Sequence, residues 1–278
     1  MKEPNLALVG SVVIDRNRVG TTAYVSWGSP AMFMTQYLKA HHRLAPTVIA
    51  SYGPDFLPYL DDVAIIPRRP NLDRTVEFNN IVTDGHRVQY CHFGEAALPP
   101  LQAEAQAALS KADILVLAPL TPFFPADFVD RLTRHVSRTC LKMLLPQGYL
   151  RTIDDNGLVK SRDFVEVAEV LPSFDIAVLS DEDHPSANEV VHDWERLSPA
   201  TAIVLTENAR GADIVRGGSV EHVPTVPVPP EEIEDPIGLG DVFGAALAYH
   251  FYRTNDLVAA VQAGHRAALA KLLAPSQG

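Results

Sequence analysis

Asp113-Ile114-Leu115-Val116-Leu117, then Ala126–His135, then Leu141-Lys142-Met143-Leu144-Leu145: a short apolar run, a helical segment and a second apolar run follow one another. Runs of Val, Ile and Leu recur at Ile176–Leu179 and Ala202–Leu205, separated by helical stretches at Arg162–Val170 and Asn188–Leu197. A strand with one wet face alternates apolar and polar residues, whereas a strand covered on both faces by helices is apolar at nearly every position. The alternation therefore predicts a doubly wound, mostly parallel sheet flanked by helices, with right-handed crossovers. Toward the N-terminus, Leu6–Ile14, Thr47–Ser51 and Val63–Pro67 read as further strands and Gln102–Ser110 as a helix. Ser29–Ala40 is helical, because Met32, Phe33, Gln36 and Tyr37 fall three and four residues apart.

One region breaks this alternation. Arg74–Val82 and Arg87–Phe93 are extended runs joined by Asp84–Gly85, a strong hairpin signal, and Gly20–Val25 is another Thr/Val/Tyr-rich extended piece. They read as a small lid, with strands within about residues 16–27 and 72–93, that does not belong in a parallel sheet. No repeat, low-complexity tract or linker is visible, so residues 1–278 read as one domain, with the Pro-rich Val223–Glu234 as an ordered crossing to the last helices.

Composition narrows the function classes. Lys and Arg total 23 against 34 Asp and Glu, a formal charge of −11, which gives no electrostatic support for nucleic acid or an anionic membrane as partner. Two cysteines, Cys91 and Cys140, exclude a disulfide framework and a Cys-rich zinc module, and read as ordinary strand residues. Leu6–Ile14 ends at Asp15 without a small-residue cleavage site, so it reads as a strand and the chain as cytoplasmic. His41-His42 and the other histidines lack metal-ligand spacing and read as solvated, as does the acidic run Glu231-Glu232-Ile233-Glu234.

The segment richest in chemistry is Asp235-Pro236-Ile237-Gly238-Leu239-Gly240-Asp241, which runs straight into the apolar helix that starts Val242-Phe243-Gly244-Ala245. Glycines let the backbone approach a ligand, and the unpaired N–H groups of a helix start form an anion site. Asp241 at that start is placed to take a proton from an attacking hydroxyl. The alternative is a Gly-bracketed turn with Asp241 as a plain N-cap.

This segment resembles the carboxyl-terminal signature of the PfkB/ribokinase-type sugar kinases, Asp-Thr-x-Gly-Ala-Gly-Asp, with Pro236 in place of Thr and Leu239 in place of Ala. Other segments follow in the family's order. Gly10-x4-Asp15 resembles its opening sugar-binding Asp. Trp27-Gly28-Ser29-Pro30-Ala31 is similar to its Gly-Gly loop, with Ser29 at the second glycine, and Tyr52-Gly53-Pro54-Asp55-Phe56 to its Gly-x-Asp. Ser180-Asp181-Glu182-Asp183 stands at the Asn-x-x-Glu motif, and Thr206-Glu207-Asn208-Ala209-Arg210-Gly211 at the nucleotide loop, with Asn208 for its first Gly. Pro146-Gln147-Gly148-Tyr149-Leu150-Arg151 and the hairpin Thr75–Asn80 through Arg87-Val88-Gln89 resemble the myo-inositol-kinase-like branch.

The resemblance implies a ribokinase-like fold and ATP-dependent phosphorylation of a small polyol, a cyclitol or sugar. A nucleoside acceptor stacked on Trp27, Phe33 or Phe78 is the alternative, and a non-catalytic sugar- or nucleotide-binding protein a third reading. Asp241 is then the catalytic base and Gly238, Leu239 and Gly240 the anion hole. Asp15, Gly28, Ser29, Asn79, Gln89 and Gln147 would hold the acceptor. Ser180, Asp183, Thr206, Asn208, Gly211 and His265 would hold ATP, with Mg2+ on its phosphates contacting Asp183 through water. A monovalent cation beside the 235–241 loop and a homodimer formed through the lid are further expectations. Several residues keep bland alternatives: Asp15 as a turn cap, Arg87 and Gln89 together facing solvent, Arg151 paired with Asp154 or Asp155, and His265 on a helix surface.

Overall fold

A computed structural model describes residues 2–61, 63–83, 86–234 and 236–274. The chain opens with β1 (Leu6–Gly10), β2 (Val13–Val19), β3 (Thr22–Gly28) and helix α1 (Pro30–His42), then β4 (Thr47–Ile49), β5 (Ala64–Ile66), β6 (Val76–Thr83) and β7 (His86–His92). Helix α2 (Ala103–Leu109), β8 (Ile114–Ala118), α3 (Ala126–Arg134) and β9 (Leu141–Leu144) follow, then the hairpin β10 (Arg151–Ile153) and β11 (Val159–Ser161). After the single turn α4 (Val167–Val170) come β12 (Ile176–Ser180), α5 (Ala187–Leu197), β13 (Ala202–Thr206), β14 (Ala212–Arg216), β15 (Ser219–Val223), α6 (Leu239–Thr254) and α7 (Leu257–Leu272).

The main sheet has nine strands in the order β15-β14-β13-β12-β9-β8-β1-β4-β5. Every neighbouring pair from β13 to β5 is parallel. Successive residues of these strands enter two different cores. Leu8, Val116, Met143, Val178 and Val204 pack on the face that carries α1, α6 and α7. Their neighbours Val9, Leu117, Leu144, Leu179 and Leu205 pack on the face that carries α2, α3 and α5. This two-sided burial is why the strands read as unbroken apolar runs. At one edge β14 and β15 extend the sheet antiparallel, joined through Gly217 and Gly218 at φ +59° and +73°. Among the described residues, no helix is long and apolar enough to cross a membrane.

Three expectations change. Leu6–Ile14 is two strands, not one: β1 lies in the main sheet, while β2 leaves it and enters a second, four-stranded sheet of order β3-β2-β6-β7. The lid therefore begins at Val13 rather than about residue 16, and within it β2 pairs with β6 in parallel while β2–β3 and β6–β7 are antiparallel. Helix over Arg162–Val170 shrinks to α4, because tertiary contacts claim its first half. Phe164 stacks on Tyr149 at 4.3 Å, and Arg162 donates through Nε to the Tyr149 carbonyl at 3.0 Å. Asp84–Gly85 and the Arg87 side chain fall outside the described part of the chain.

Helix α1 starts at a strained position. Ser29 sits at φ +148°, a backbone region that side chains rarely adopt, and its hydroxyl caps the helix by accepting the Met32 N–H at 3.2 Å. Tyr52–Asp55 braces the lid: the Asp55 carboxylate accepts the Thr75 N–H at 3.0 Å and its hydroxyl at 2.6 Å, fixing the approach to β6.

Candidate active site

Past the C-terminal ends of the parallel strands the chain turns into loops, and the lid stands over them. Between the two lies a cleft of about 620 Å3, where ligands of open α/β sheets characteristically bind. Its walls come from both ends of the sequence: Asp15 from β2 and Ser29 from the cap of α1, Gly238–Asp241 from the start of α6.

Gly238 precedes α6 at φ +74°, a left-handed turn, and a Cβ there would stand 2.7 Å from the Phe33 ring. The Val242 N–H closes the first helical turn on the Gly238 carbonyl at 3.0 Å. The amides of Leu239, Gly240 and Asp241 precede that bond, so this end of the helix offers N–H groups to an anion. A Cβ added at Gly240 would meet nothing within 4 Å. That glycine is not demanded by protein packing; it leaves open space in the cleft.

Asp241 lines this space. Desolvation pushes its carboxyl up to about 7, the Asp183 carboxylate adds to the rise, and Arg151 and Lys271 oppose it. A carboxyl poised near neutrality between two cations and a second carboxylate suits a general base. Asp183 is held by both oxygens: Gln147 Nε2 donates to Oδ1 at 3.0 Å and the Ser180 N–H to Oδ2 at 2.9 Å. Lys271, near the end of α7 with its Nζ 5.6 Å from the Phe33 ring centre, carried no motif by which sequence reasoning would find it.

On the lid side, β2 and β6 run in register, so Asp15 lies opposite Phe78 and Asn17 opposite Asn80. Asp15, Phe78 and Gln89 line the cleft. Gly28 borders Asp15 so closely that a Cβ there would collide with its carboxylate. On the other side, Thr206, Asn208 and Gly211 line the cleft beside an apolar slot of Val226, Val228, Ile233, Leu269 and Leu272. Asn208 takes φ +53° at the position of a glycine, and its amide donates to Asp181 at 3.2 Å and Glu182 at 3.0 Å. The loop after β13 is thereby tied to the loop after β12.

Most of the expected site residues therefore converge on one cleft, and several readings are corrected. Asn79 does not reach it: strand alternation turns it to the other face, where its amide meets His92 Nε2 at 3.0 Å. Its neighbour Asn80 shares the Phe78 face and donates to Asp15 Oδ1 at 3.0 Å from behind the cleft wall. Asp15 is part of a strand rather than a turn cap. Gln147 lines the cleft but gives its amide to Asp183. Arg151 pairs with neither Asp154 nor Asp155. Its Nη1 donates to the Leu120 carbonyl at 3.2 Å and its guanidinium lies 5.7 Å from the Phe78 ring centre.

His265 lies on the cleft wall against Phe243, with ring centres 5.4 Å apart, rather than on an outer helix surface. Two histidines read as solvated are packed instead: His42 against Tyr249 at 4.1 Å and His184 on Asp163 at 3.0 Å. Burial raises the Cys91 and Cys140 thiols to about 12 and about 11, as expected of inert core residues. Asp235 lies outside the described residues, and with it part of the loop expected to hold a monovalent cation.

Set against known proteins, the whole chain resembles solved kinases in fold. A pyrophosphate-dependent kinase of the ribokinase family, in its sulfate complex, superimposes with a TM-score of 0.78 over 98% of this chain and 96% of its own, at 18% identity. A nucleoside kinase of Methanocaldococcus jannaschii does so with a TM-score of 0.71 over 98% and 93%, at 14% identity. In sequence, a cytidine kinase of Thermococcus kodakarensis is 29% identical over 157 residues, 50% of this chain and 55% of that protein's length. The sequence pattern of the pfkB family carbohydrate kinases matches residues 77–277. The fold is thus ribokinase-like, and the chain belongs to the pfkB family of carbohydrate kinases.

Proposed function

We propose that this chain transfers a phosphoryl group from ATP to a hydroxyl of a small polyol, a cyclitol or sugar. The observation that carries the reading is the meeting of Asp241, with its carboxyl raised to about 7, and the open helix start at Gly240, in a cleft whose far wall is Asp15. Phosphoryl transfer asks a protein mainly for positioning and charge stabilisation. Asp15 holds the acceptor's hydroxyls, since a carboxylate accepts from two neighbours at once. Asp241 takes the proton of the attacking hydroxyl as the new O–P bond forms. The amides of Leu239–Asp241 and the positive end of α6 stabilise the charge on the transferring group. Gln147 and the Ser180 amide orient Asp183, the carboxylate that would hold magnesium through water. Magnesium, when bound, neutralises phosphate charge. Closure of the lid keeps water from the donor.

The apolar slot beside His265 favours a donor with an aromatic base, which pyrophosphate lacks. A nucleoside acceptor is the second reading, favoured by Phe33 and Phe78 in the cleft wall and by the cytidine kinase likeness. On the lid's outer face Val25, Ile81 and Val88 are exposed, which supports pairing of two chains through their lids. ADP release with inositols, aminocyclitols, hexoses, pentoses and nucleosides tests the proposal. Turnover with polyols supports it, turnover with nucleosides alone replaces the acceptor class, and no turnover with any acceptor points to a binding protein.

A further inference from the structure

We propose that Glu207, Asp213 and His222 form a site for one zinc-class divalent cation, outside the cleft, that ties the loop after β13 to the β14–β15 hairpin. The inference goes beyond the phosphoryl-transfer reading and does not depend on it. Sheet pairing builds the site. Leu205 is paired with Asp213, and Asp213 with His222. Ile214 and Val223 enter the core under α6 and α7, so by strand alternation Asp213 and His222 stand on the opposite face of the sheet, the face of Leu205. The Glu207 N–H donates to the Gly211 carbonyl at 2.8 Å, which carries the β13–β14 ladder past the end of β13 and sets Glu207 on that face too. One imidazole and two carboxylates, from three chain segments, thus offer ligand atoms within 4.8 Å of one another. His222 has no ligand spacing in the sequence, because only the register of the hairpin joins it to the two acids.

The side chains keep lone pairs available to an ion. Asp213 is bonded through Oδ1, by His222 Nδ1 at 2.6 Å, and Glu207 through Oε1, by Arg210 Nη2 at 3.2 Å. The second oxygen of each carboxylate and His222 Nε2 find no hydrogen-bond partner among the described residues. The Glu207 side chain is 12% exposed, and a carboxylate so far out of water favours a cation beside it. Arg210 is shared with Asp181 at 2.8 Å, and the Asn208 amide brings Glu182 into the same network, so Asp181, Glu182 and Glu207 share one guanidinium, with Asp213 beside them. A dication offsets that excess of negative charge. Imidazole nitrogen with carboxylate oxygen suits zinc, which binds them at about 2.0–2.2 Å, whereas Mg2+ prefers oxygen alone and keeps its waters. His222, half-exposed, has room to close the three atoms onto a tetrahedral ion whose fourth place is left to water. The ion replaces the proton between His222 Nδ1 and Asp213 Oδ1, which leaves to solvent. Thr206, Asn208 and Gly211 line the cleft, and Glu207, Asp213 and His222 do not, so this site is separate from the place of the transferring phosphate.

The test is calorimetry of Zn2+ on the full chain after EDTA treatment and dialysis, with His222→Ala and Asp213→Asn beside the wild type. Asp213→Asn keeps the shape of the side chain, and circular dichroism checks that both variants fold. The wild type should bind one Zn2+ per chain, at least about tenfold more tightly than either variant. A roughly tenfold excess of Mg2+ should leave the titration unchanged. Asp183→Asn should bind Zn2+ as the wild type does, which separates this site from the magnesium of the cleft. Co2+ in place of Zn2+ should give the visible absorption of a tetrahedral ion, and His222→Ala should lack it. No Zn2+ step in the wild type, or an unchanged affinity in a folded His222→Ala or Asp213→Asn, overturns the inference. Displacement of Zn2+ by Mg2+ overturns the zinc-class assignment, and a loss of binding in Asp183→Asn moves the ion to the cleft. None of these readouts uses turnover, so the phosphoryl-transfer reading stands or falls separately.

Discussion

Gly238 and Gly240 stand two residues apart, yet the structure assigns them different jobs, and alanine separates the two. At Gly240 the backbone is helical and an added Cβ meets nothing within 4 Å. Folding therefore gains up to about 1 kcal/mol from the better helix former, less in a first turn. The methyl group occupies the space from which an anion would approach the amides of Leu239–Asp241. An anion pushed about 1 Å off its place costs on the order of a hundredfold in rate. At Gly238, φ +74° and the Phe33 ring at 2.7 Å make alanine a folding defect of about 1–3 kcal/mol. The assay is ADP release beside a thermal melt. Gly240→Ala should melt at or above the wild-type temperature with turnover down about a hundredfold, and Gly238→Ala should melt lower. Turnover of Gly240→Ala within about threefold of wild type would refute the placement of the transferring group at this helix start.

Further predictions concern charge and strain. A base must be ionised to act, so kcat/KM should rise with pH through about 7 and then level off. Asp183→Asn removes a like charge and should move that midpoint to lower pH; a midpoint that stays put removes Asp183 from the account. The same shift bears on stability. A carboxyl raised in the folded chain contributes stability that is fully present below its unfolded pKa near 3.8 and is lost as pH rises through about 7. Asp241→Asn should therefore raise the unfolding free energy read from urea melts at pH 8 by at most about 4 kcal/mol, discounted for water in the cleft, and change it little at pH 4. Equal effects at both pH values would contradict this. Ser29→Gly relieves a φ of +148° and loses a cap that glycine replaces at small cost, so a net gain of about 1 kcal/mol is expected on chemical unfolding.

Much of this was legible because the relevant signals are local. Buried parallel strands are apolar at nearly every position, so 114–118, 141–144, 176–180 and 202–206 announce themselves, and the glycines of 238–240 mark the start of the helix that follows them. What escaped depends on partners distant in the chain. The break between β1 and β2 falls inside one apolar run, because both halves are buried, only in different sheets. The helix expected over 162–166 yields to the Tyr149 contacts of Phe164 and Arg162. Asn79 and Asn80 are the same residue type, and only strand register decides which of them faces Phe78's side of the lid. Gln147 and Arg151 kept their place at the cleft, but their hydrogen bonds to Asp183 and Leu120 had no counterpart in spacing.

The central claim is that Asp241 accepts the proton of an attacking hydroxyl. Asp241→Asn keeps the side chain's shape and removes its basicity, so ATP affinity by calorimetry and turnover by ADP release should part company. ATP should bind within about threefold of wild type, while turnover falls by about a hundredfold to ten-thousandfold, the usual contribution of a positioned base. Near-normal turnover in Asp241→Asn would contradict the account.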